Sequence, residues 1–448
     1  MRHPEWLHEL EINFQSVSKV LFSSLKPDEE LSISLAAERS TFVRVNSAKI
    51  RQNTFVEQAF VSLSLQNGKQ SYKASFPLYF QRDADENRAL QFLQLAREQM
   101  VVADPDPFQV PFTDNGTSRD VFTGELLNDS EVFNAILAPA KGSDIAGLYA
   151  SGPVVAASCN SKGQNHWFAT ESFFFDYSIF DGPRAVKGTY AGLKWNYEEY
   201  ERSLSESKNQ LSLLGRPIQK ISKGNYRTYL APSAVAEAVF TMGWGALSQA
   251  AAKRGGSAFK KLIDGEKSLS PLFTLRENFK MGTTARFNCR GEVSADLVPL
   301  IEKGRLVQLL ISSRTAKEYK LQSNGAEEME KPRAPEIAPG TLAKSDILRK
   351  LDTGLYLSNL HYLNWSDMLS ARITGMTRYA CFWVEKGEIV GPIQDLRFDE
   401  SLYRLFGSEL EAVTQFQEMQ PNVSTYGERS LGGMLAPGML IKDFTFTL

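Results

Sequence analysis

The sequence has few of the side chains that metal and thiol chemistry require. It contains three cysteines among 448 residues, and no two of them have CxxC spacing. This spacing excludes a typical disulfide framework and a thiolate zinc site. Four histidines are present without an HExxH pattern, so no zincin-type site forms locally. A metal site would need scattered residues such as His166, His361 and distant carboxylates.

Motifs for nucleophilic catalysis and phosphate binding are also missing. The chain has no GxSxG, GxGxxG or GxxxxGK[ST] pattern. Cys159 and Cys381 lie in apolar segments, where a free cysteine usually serves as a small core residue. The net charge of −2 provides no global attraction to nucleic acid or to an anionic membrane. No apolar run reaches the roughly 18 residues of a spanning helix, and no signal-peptide pattern is visible. We therefore expect a cytoplasmic protein that binds neither nucleic acid nor membrane.

What is present indicates an α+β fold. Residues 3–25 repeat apolar side chains at helical spacing, and residues 30–80 alternate apolar and polar positions as strands do. An Asn-Gly pair at Asn67 and Gly68 predicts a hairpin between two of these strands. A second helix is predicted over 85–101, and residues 101–133 have the composition of a long surface loop. The apolar face of the first helix comprises Trp6, Leu7, Leu10, Phe14, Val17 and Leu21.

The remaining chain predicts a helical centre and a β-rich end. We expect an N-terminal α+β domain over 1–200, helices joined to an antiparallel meander. A central helical segment would follow over 201–268. The last part, 269–448, would be a mostly β C-terminal domain, with a sandwich or barrel-like sheet around a buried central helix. Helical exceptions in the last part are predicted at "KSDILRKL" and "DESLYRLFGSELEAV".

The stretch from Tyr229 to Gly256 resembles one helix of about six turns. Pro232 suits a first-turn position and Gly255 or Gly256 suits a C-cap. The stretch contains one acid, Glu237, and no histidine. We expect Glu237 to lie in the N-terminal turn, where the helix dipole favours a carboxylate.

Several segments occur in an order typical of a known family. They are "LIEKG" (Leu300–Gly304), "SSRTA" (Ser312–Ala316), "LQSNGA" (Leu321–Ala326) and "FWVEKGEIVGP" (Phe382–Pro392). Together they resemble the C-terminal half of the TldD/PmbA family, formerly called modulators of DNA gyrase and now regarded as peptidases. The resemblance extends over about 146–448. The slot "SARITGMTRYAC" is more basic and less glycine-rich than in the family, which suggests a divergent branch.

The resemblance implies one of two subunit types. The TldD type has a zinc-binding HExxxH helix and a cysteine ligand near its C-terminus, whereas the TldE (PmbA) type lacks them. Here the corresponding helix begins Pro232, Ser233, Ala234, and the C-terminal segment 421–440 has no cysteine. The chain thus resembles the TldE type, without catalytic or metal residues and without a cofactor of its own. Zinc would reside in a TldD-like partner, and this chain would be inactive alone.

The implied role is binding of extended peptides for maturation or degradation. Arginines beside aromatic residues could hold a peptide carboxylate or backbone. The candidate peptide-binding residues are Arg372, Thr374, Gly375, Met376, Thr377 and Arg378, with His361 and Trp365 in addition. Two alternatives remain open: a self-associating, homodimeric peptide-binding protein without a metallopeptidase partner, and an independent hydrolase with an unrecognised site.

Overall fold

The computed structural model describes residues 3–447 of the chain. Within that range nine α-helices alternate with strands in an α+β architecture. The helices are α1 His3–Ser23, α2 Arg82–Met100, α3 Val132–Leu137, α4 Tyr197–Leu213, α5 Pro232–Met242, α6 Gln249–Lys253, α7 Lys260–Ile263, α8 Ser313–Tyr319 and α9 Ile347–Leu351. None of them combines the length and the apolarity that a bilayer crossing requires.

Eighteen strands of the same range form two sheets. The strands of the first sheet are β1 Glu30–Asn46, β2 Lys49–Asn67, β3 Gln70–Pro77, β4 Thr117–Phe122, β5 Asp144–Asn160, β6 Asn165–Asp181 and β7 Arg184–Gly192. Those of the second are β8 Gly224–Leu230, β9 Leu275–Asn278, β10 Leu297–Glu302, β11 Arg305–Leu306, β12 Pro335–Ile337, β13 Gly354–Asp367, β14 Arg372–Glu385, β15 Glu388–Pro392, β16 Arg397–Ser401, β17 Leu410–Pro421 and β18 Gly433–Phe446.

The first sheet has the order β3-β2-β1-β5-β6-β4, with β7 pairing to the other half of β6. Its apolar face is covered by α1 and α2. The predicted face of α1 is confirmed, since Trp6, Leu10 and Val17 are at most 1% exposed. The predicted hairpin is confirmed too: Asn67 pairs with Gln70, and Gly68 between them has a φ of +58°.

The second sheet curls into a ring. Its path runs β11-β10-β9-β12-β18-β16-β14-β13-β8, and β8 pairs again with β18. The ring exists because β8 is parallel to β13 on one side and antiparallel to β18 on the other. Helix α5 follows β8 directly and packs against β13, β18 and β17. The first strand of this sheet, β8, therefore lies inside the segment 201–268, which the sequence predicts to be helical.

Three predicted elements are wrong. The expected loop 101–133 contains β4, which pairs in parallel with residues 165–170 of β6. The expected six-turn helix ends at Met242, because Gly245 adopts a φ of +100°, and α6 starts anew after Ser248, whose side chain accepts from the Ala251 N–H. The stretch "DESLYRLFGSELEAV" supplies parts of β16 and β17 around a short π-type turn, since Gly407 has non-helical angles.

Candidate functional site

Helix α5 has one exposed stripe. Its other faces are buried, with Ala234, Val235 and Ala238 fully inaccessible to solvent in the core of the second sheet. Every third or fourth residue faces outward, and this spacing places the outward residues above one another. The α5 stripe comprises Ser233, Glu237, Phe240 and, just after the helix, Trp244. Phe240 and Trp244 are 45% and 46% exposed, so the second half of the stripe presents aromatic surface to solvent.

Neighbouring elements define both ends of the stripe. At its start the Ser233 hydroxyl donates to Oε1 of Gln420 on β17 at 3.0 Å. At its end the Trp365 indole N–H of β13 donates to the Trp244 carbonyl at 3.3 Å. The 11 residues of α5 span about 16 Å at 1.5 Å per residue. An extended chain advances about 3.3 Å per residue, so this length corresponds to about five peptide residues.

Strand β13 has an unpaired edge beside α5. It pairs with β8 only over Leu355–Leu357, and the Ala231 N–H bonds to the Leu357 carbonyl just before α5 begins. From Asn359 to Asp367 the strand pairs with β14 on one side and with no strand of the described chain on the other. Unpaired backbone groups along a sheet edge are a template for an added strand. We call the surface formed by the α5 stripe and this edge the groove, and we take it as the candidate site.

Tyr362 belongs to the unpaired edge of β13. It is 77% exposed and has a φ of +53°, in the left-handed region that disfavours bulky residues. The register of β13 and β14 shifts between His361 and Asn364, so Tyr362 sits in a bulge. Bulges redirect side chains and are frequent next to functional sites. Its ring lies 4.0 Å from that of His361, centroid to centroid.

The groove does not have the donors of a zinc site. Glu237 is the one carboxylate of the α5 stripe, and it lies in the second turn, not in the first as expected. Surrounding protein raises the pKa of its carboxyl group through desolvation. Within residues 3–447, no three His, Cys, Asp or Glu side chains lie close enough together to hold a metal ion. Zinc takes nitrogen, sulphur or several carboxylate ligands, so these residues do not fit that ion.

The two histidines considered for an independent hydrolase site differ in their environments. His166 is 1% exposed, its Nδ1 is 2.9 Å from the Ser118 hydroxyl, and its ring stacks on Phe287. Burial lowers the pKa of this imidazole. His361 instead lies on the partly exposed outer half of β13. Within residues 3–447, neither histidine belongs to a group of three His, Cys, Asp or Glu side chains that could hold a metal ion.

Four of the predicted peptide-binding residues contact other residues of the same sheet or the loop beside it, three through hydrogen bonds and one through close packing. Arg372 donates to the Asp399 carboxylate at 2.8 Å, and the Thr374 hydroxyl donates to the Phe398 carbonyl at 2.9 Å. The Thr377 hydroxyl accepts from the Leu396 N–H at 2.9 Å. A side chain at Gly375 would meet the Phe398 ring at 2.7 Å. These contacts tie β14 to β16 and its flanking loop.

The other four predicted residues lie nearer the solvent. Met376 is 38% exposed and pairs with His361 across the β13–β14 hairpin. The Arg378 guanidinium stacks over the Tyr379 ring at 5.3 Å. The Trp365 indole N–H donates to the Trp244 carbonyl at the end of the α5 stripe. Their predicted role in peptide binding stays a prediction.

Sequence reasoning did not single out Phe240, Trp244 or Tyr362. A signal was available for the first two, because large residues interrupt a run of small ones at positions 237, 240 and 244. This is the spacing of one helical face. Tyr362 gave no signal, because its exposure depends on the register shift between two strands.

Comparisons with known proteins agree with this architecture, in which two sheets are accompanied by helix α5. Residues 223–448 match the PmbA/TldA metallopeptidase C-terminal domain. That match begins one residue before β8 and includes α5, β13 and every other element of the groove. No curated protein matches the sequence. The chain belongs to the PmbA/TldD family.

Three solved structures share the fold over nearly the whole chain. TldE from Thermococcus kodakarensis has a TM-score of 0.77 and 14% identity, covering 97% of this chain and 100% of its own. A Thermotoga maritima protein, described as a candidate modulator of a DNA gyrase, has a TM-score of 0.76, 16% identity and the same coverages. A Bacteroides thetaiotaomicron protein of similar description has a TM-score of 0.73 and 15% identity, with 98% of each chain covered. At these identities the likeness concerns the fold.

Proposed function

We propose that this chain is a TldE-like, non-catalytic subunit of a TldD/TldE-type metallopeptidase complex that binds extended peptides. The observation that carries the proposal is the groove between the α5 stripe and the unpaired edge of β13. The site belongs to the matched family domain and lacks the side chains for zinc. In this proposal the groove holds a peptide and a partner subunit cuts it.

Peptide binding follows from the backbone groups of β13. A peptide added at Asn359–Asp367 would gain main-chain hydrogen bonds that are independent of its sequence. Phe240 and Trp244 offer apolar surface to its side chains. Side-chain selectivity would then come from the groups at the two ends of the stripe. This combination suits maturation or degradation of peptides of varied sequence.

Catalysis in this proposal belongs to a partner. A TldD-like subunit with an HExxxH helix would hold zinc and activate the attacking water. This chain contributes the groove and excludes bulk solvent, and it has no cofactor of its own. We place such a complex in the cytoplasm.

The test is co-expression of this chain with an HExxxH-bearing paralogue from the same genome. We expect one complex of both chains in size-exclusion chromatography with light scattering. Metal analysis should find zinc in proportion to the paralogue alone. Peptide cleavage should require both chains and should stop when a chelator is added.

Two results would contradict the proposal. One is a stable homodimer of this chain that ignores the paralogue, which favours the self-associating alternative. The other is chelator-sensitive cleavage by this chain alone, which favours the independent hydrolase. A matched control is the paralogue with both histidines of its HExxxH helix replaced, which should assemble normally and cleave nothing.

A further inference from the structure

A polar recess opens at the N-terminal end of α5, where the two sheets meet. Its volume is about 130 Å³, roughly that of four water molecules in the liquid. Ser233 and Asn359, the first residues of the α5 stripe and of the unpaired β13 edge, both line it. A peptide in the groove would therefore place one end, or a side chain near that end, at the opening.

Glu418 of β17 is the unpaired charge of this recess. Its carboxylate forms no hydrogen bond or ion pair within the described chain, and its side chain is exposed at the recess. Desolvation raises the pKa of this carboxyl, Glu206 raises it further, and Lys344 opposes the shift. A cationic ligand in the recess would provide the direct counter-ion that Glu418 lacks within the described chain.

The other charges that line the recess are already matched. Lys344 donates to both carboxylate oxygens of Glu206 at 2.7 and 2.9 Å. Lys187 forms a short ion pair with Asp176. The first turn of α5 adds about half a positive charge, which does not cancel the full charge of Glu418. With Lys187 paired to Asp176 outside the recess and Lys344 paired to Glu206, Glu418 is left without a direct counter-ion among the described residues.

Two tyrosines form the wall opposite the solvent. The rings of Tyr229 and Tyr356 lie 5.2 Å apart. Tyr229 is 1% exposed, and its hydroxyl has no hydrogen-bond partner among the described residues. That hydroxyl would lie 2.1 Å from any Cβ at position 438, where the chain has glycine. An aromatic wall, a free hydroxyl and a carboxylate are the contacts that an aliphatic ammonium group prefers.

We infer that this recess binds a primary ammonium group of the peptide, from a lysine side chain or from a free amino terminus. The ammonium group would donate to the Glu418 carboxylate and the Tyr229 hydroxyl, while its methylenes contact the tyrosine rings. The inference rests on the proposed function, because it assumes a peptide in the groove. It adds a preference for peptides with an amine near one end.

The experiment uses the full chain alone and calorimetric titration with pentapeptide amides. Two have acetylated amino termini and differ by lysine or norleucine at one position, which is scanned. A third, of alanine only, has a free amino terminus and is compared with its acetylated form. We expect an amine-bearing peptide to bind about tenfold more tightly than its neutral match, a typical effect of one charge-assisted hydrogen bond. The arm that shows the preference identifies the source of the amine.

Variants assign the preference to the recess. E418Q should reduce it to less than about twofold, and Y229F to about threefold, since a neutral hydrogen bond contributes less than a charged one. The matched control is E411Q, on the same strand, because Glu411 pairs with Arg227 away from the recess. E411Q should keep the full preference.

Equal binding of amine-bearing and neutral peptides would overturn the inference, as would no binding of either. An equal loss of the amine preference in E418Q and E411Q would also overturn it, and so would a preference for an acidic peptide. These results differ from a failure of the proposed function. If the complex cleaves peptides but shows no amine preference, only the proposed amine site in the recess is refuted. A preference that depends on Glu418, in a chain that never joins the paralogue, refutes only the complex.

Discussion

Two glutamates within residues 223–448, Glu330 and Glu418, occupy contrasting environments. Glu330 is 1% exposed, and its carboxylate accepts four hydrogen bonds. The donors are the hydroxyl of Ser248 and the N–H of Ala250 at the start of α6, and the N–H and hydroxyl of Ser312 at the start of α8. Glu418 lies in an open recess and accepts none within the described chain.

The contrast separates groups that hold the fold from groups available to a ligand. A buried carboxylate is tolerated when donors surround it, and Glu330 joins two helix starts that are distant in sequence. An unmatched carboxylate in an open recess costs the free protein little and remains available to a cationic ligand. The same contrast distinguishes Arg372, held by Asp399, from the α5 stripe, whose Glu237 has no partner in the described chain.

The largest expected effect is on stability, at Glu330. E330Q replaces an acceptor oxygen with an amide N–H₂ that faces donors, so two of them lose their partner. The free energy of unfolding should fall by about 3 kcal/mol, at 1–3 kcal/mol per unsatisfied buried group. Urea denaturation measures the loss. E328Q is the matched control, because Glu328 pairs with Lys73 at the surface, and such pairs contribute under about 1 kcal/mol. Equal effects of the two variants would contradict the assignment.

The next effect is on binding, at the aromatic half of the α5 stripe. F240S should weaken pentapeptide binding about tenfold, since a partly buried aromatic contact contributes about 1.4 kcal/mol. Calorimetric titration measures the change. Stability should hardly alter, because Phe240 is 45% exposed. F133S is the matched control, since Phe133 on α3 is 49% exposed and does not line the groove. A similar loss of binding in F133S would argue against the groove.

The fold was more predictable from sequence than the site. The apolar face of α1 and the Asn67–Gly68 hairpin depend on local pattern, and both were predicted. Strand β4 was missed, because its partner β6 lies more than 40 residues away. The break in α5 was missed, because the left-handed conformation of Gly245 depends on the packing of α6. For the site, the sequence indicates basic and aromatic residues on β14, yet only the register with β16 shows that Arg372 is already paired.

A smaller effect is expected at Tyr362. Its replacement should leave stability equal or slightly higher and should weaken peptide binding. Y362G removes a bulky residue from a φ of +53°, a conformation that costs a non-glycine residue about 1 kcal/mol. Thermal unfolding should therefore occur at the same temperature or slightly higher, while peptide binding weakens through the lost ring. Y426G, at a residue that is 99% exposed in the β17–β18 loop, is the control. A clear drop in stability for Y362G would show that the ring supports the hairpin instead.

The smallest effect is the pH dependence that Glu418 gives to stability. Its folded pKa is raised, so between the unfolded pKa and the folded pKa the folded state binds more protons than the unfolded state. Stability must then fall as the pH rises through that window. E418Q removes this loss, so the variant should equal or exceed the original chain at pH 8, by less than about 1 kcal/mol for so accessible a group. The difference should shrink towards pH 4, where both states protonate the carboxyl, and denaturation curves across this range measure it. If E418Q were less stable at pH 8 than at pH 4 relative to the original chain, the carboxylate would have a partner within the chain. The recess would then belong with Glu330 among the groups that hold the fold.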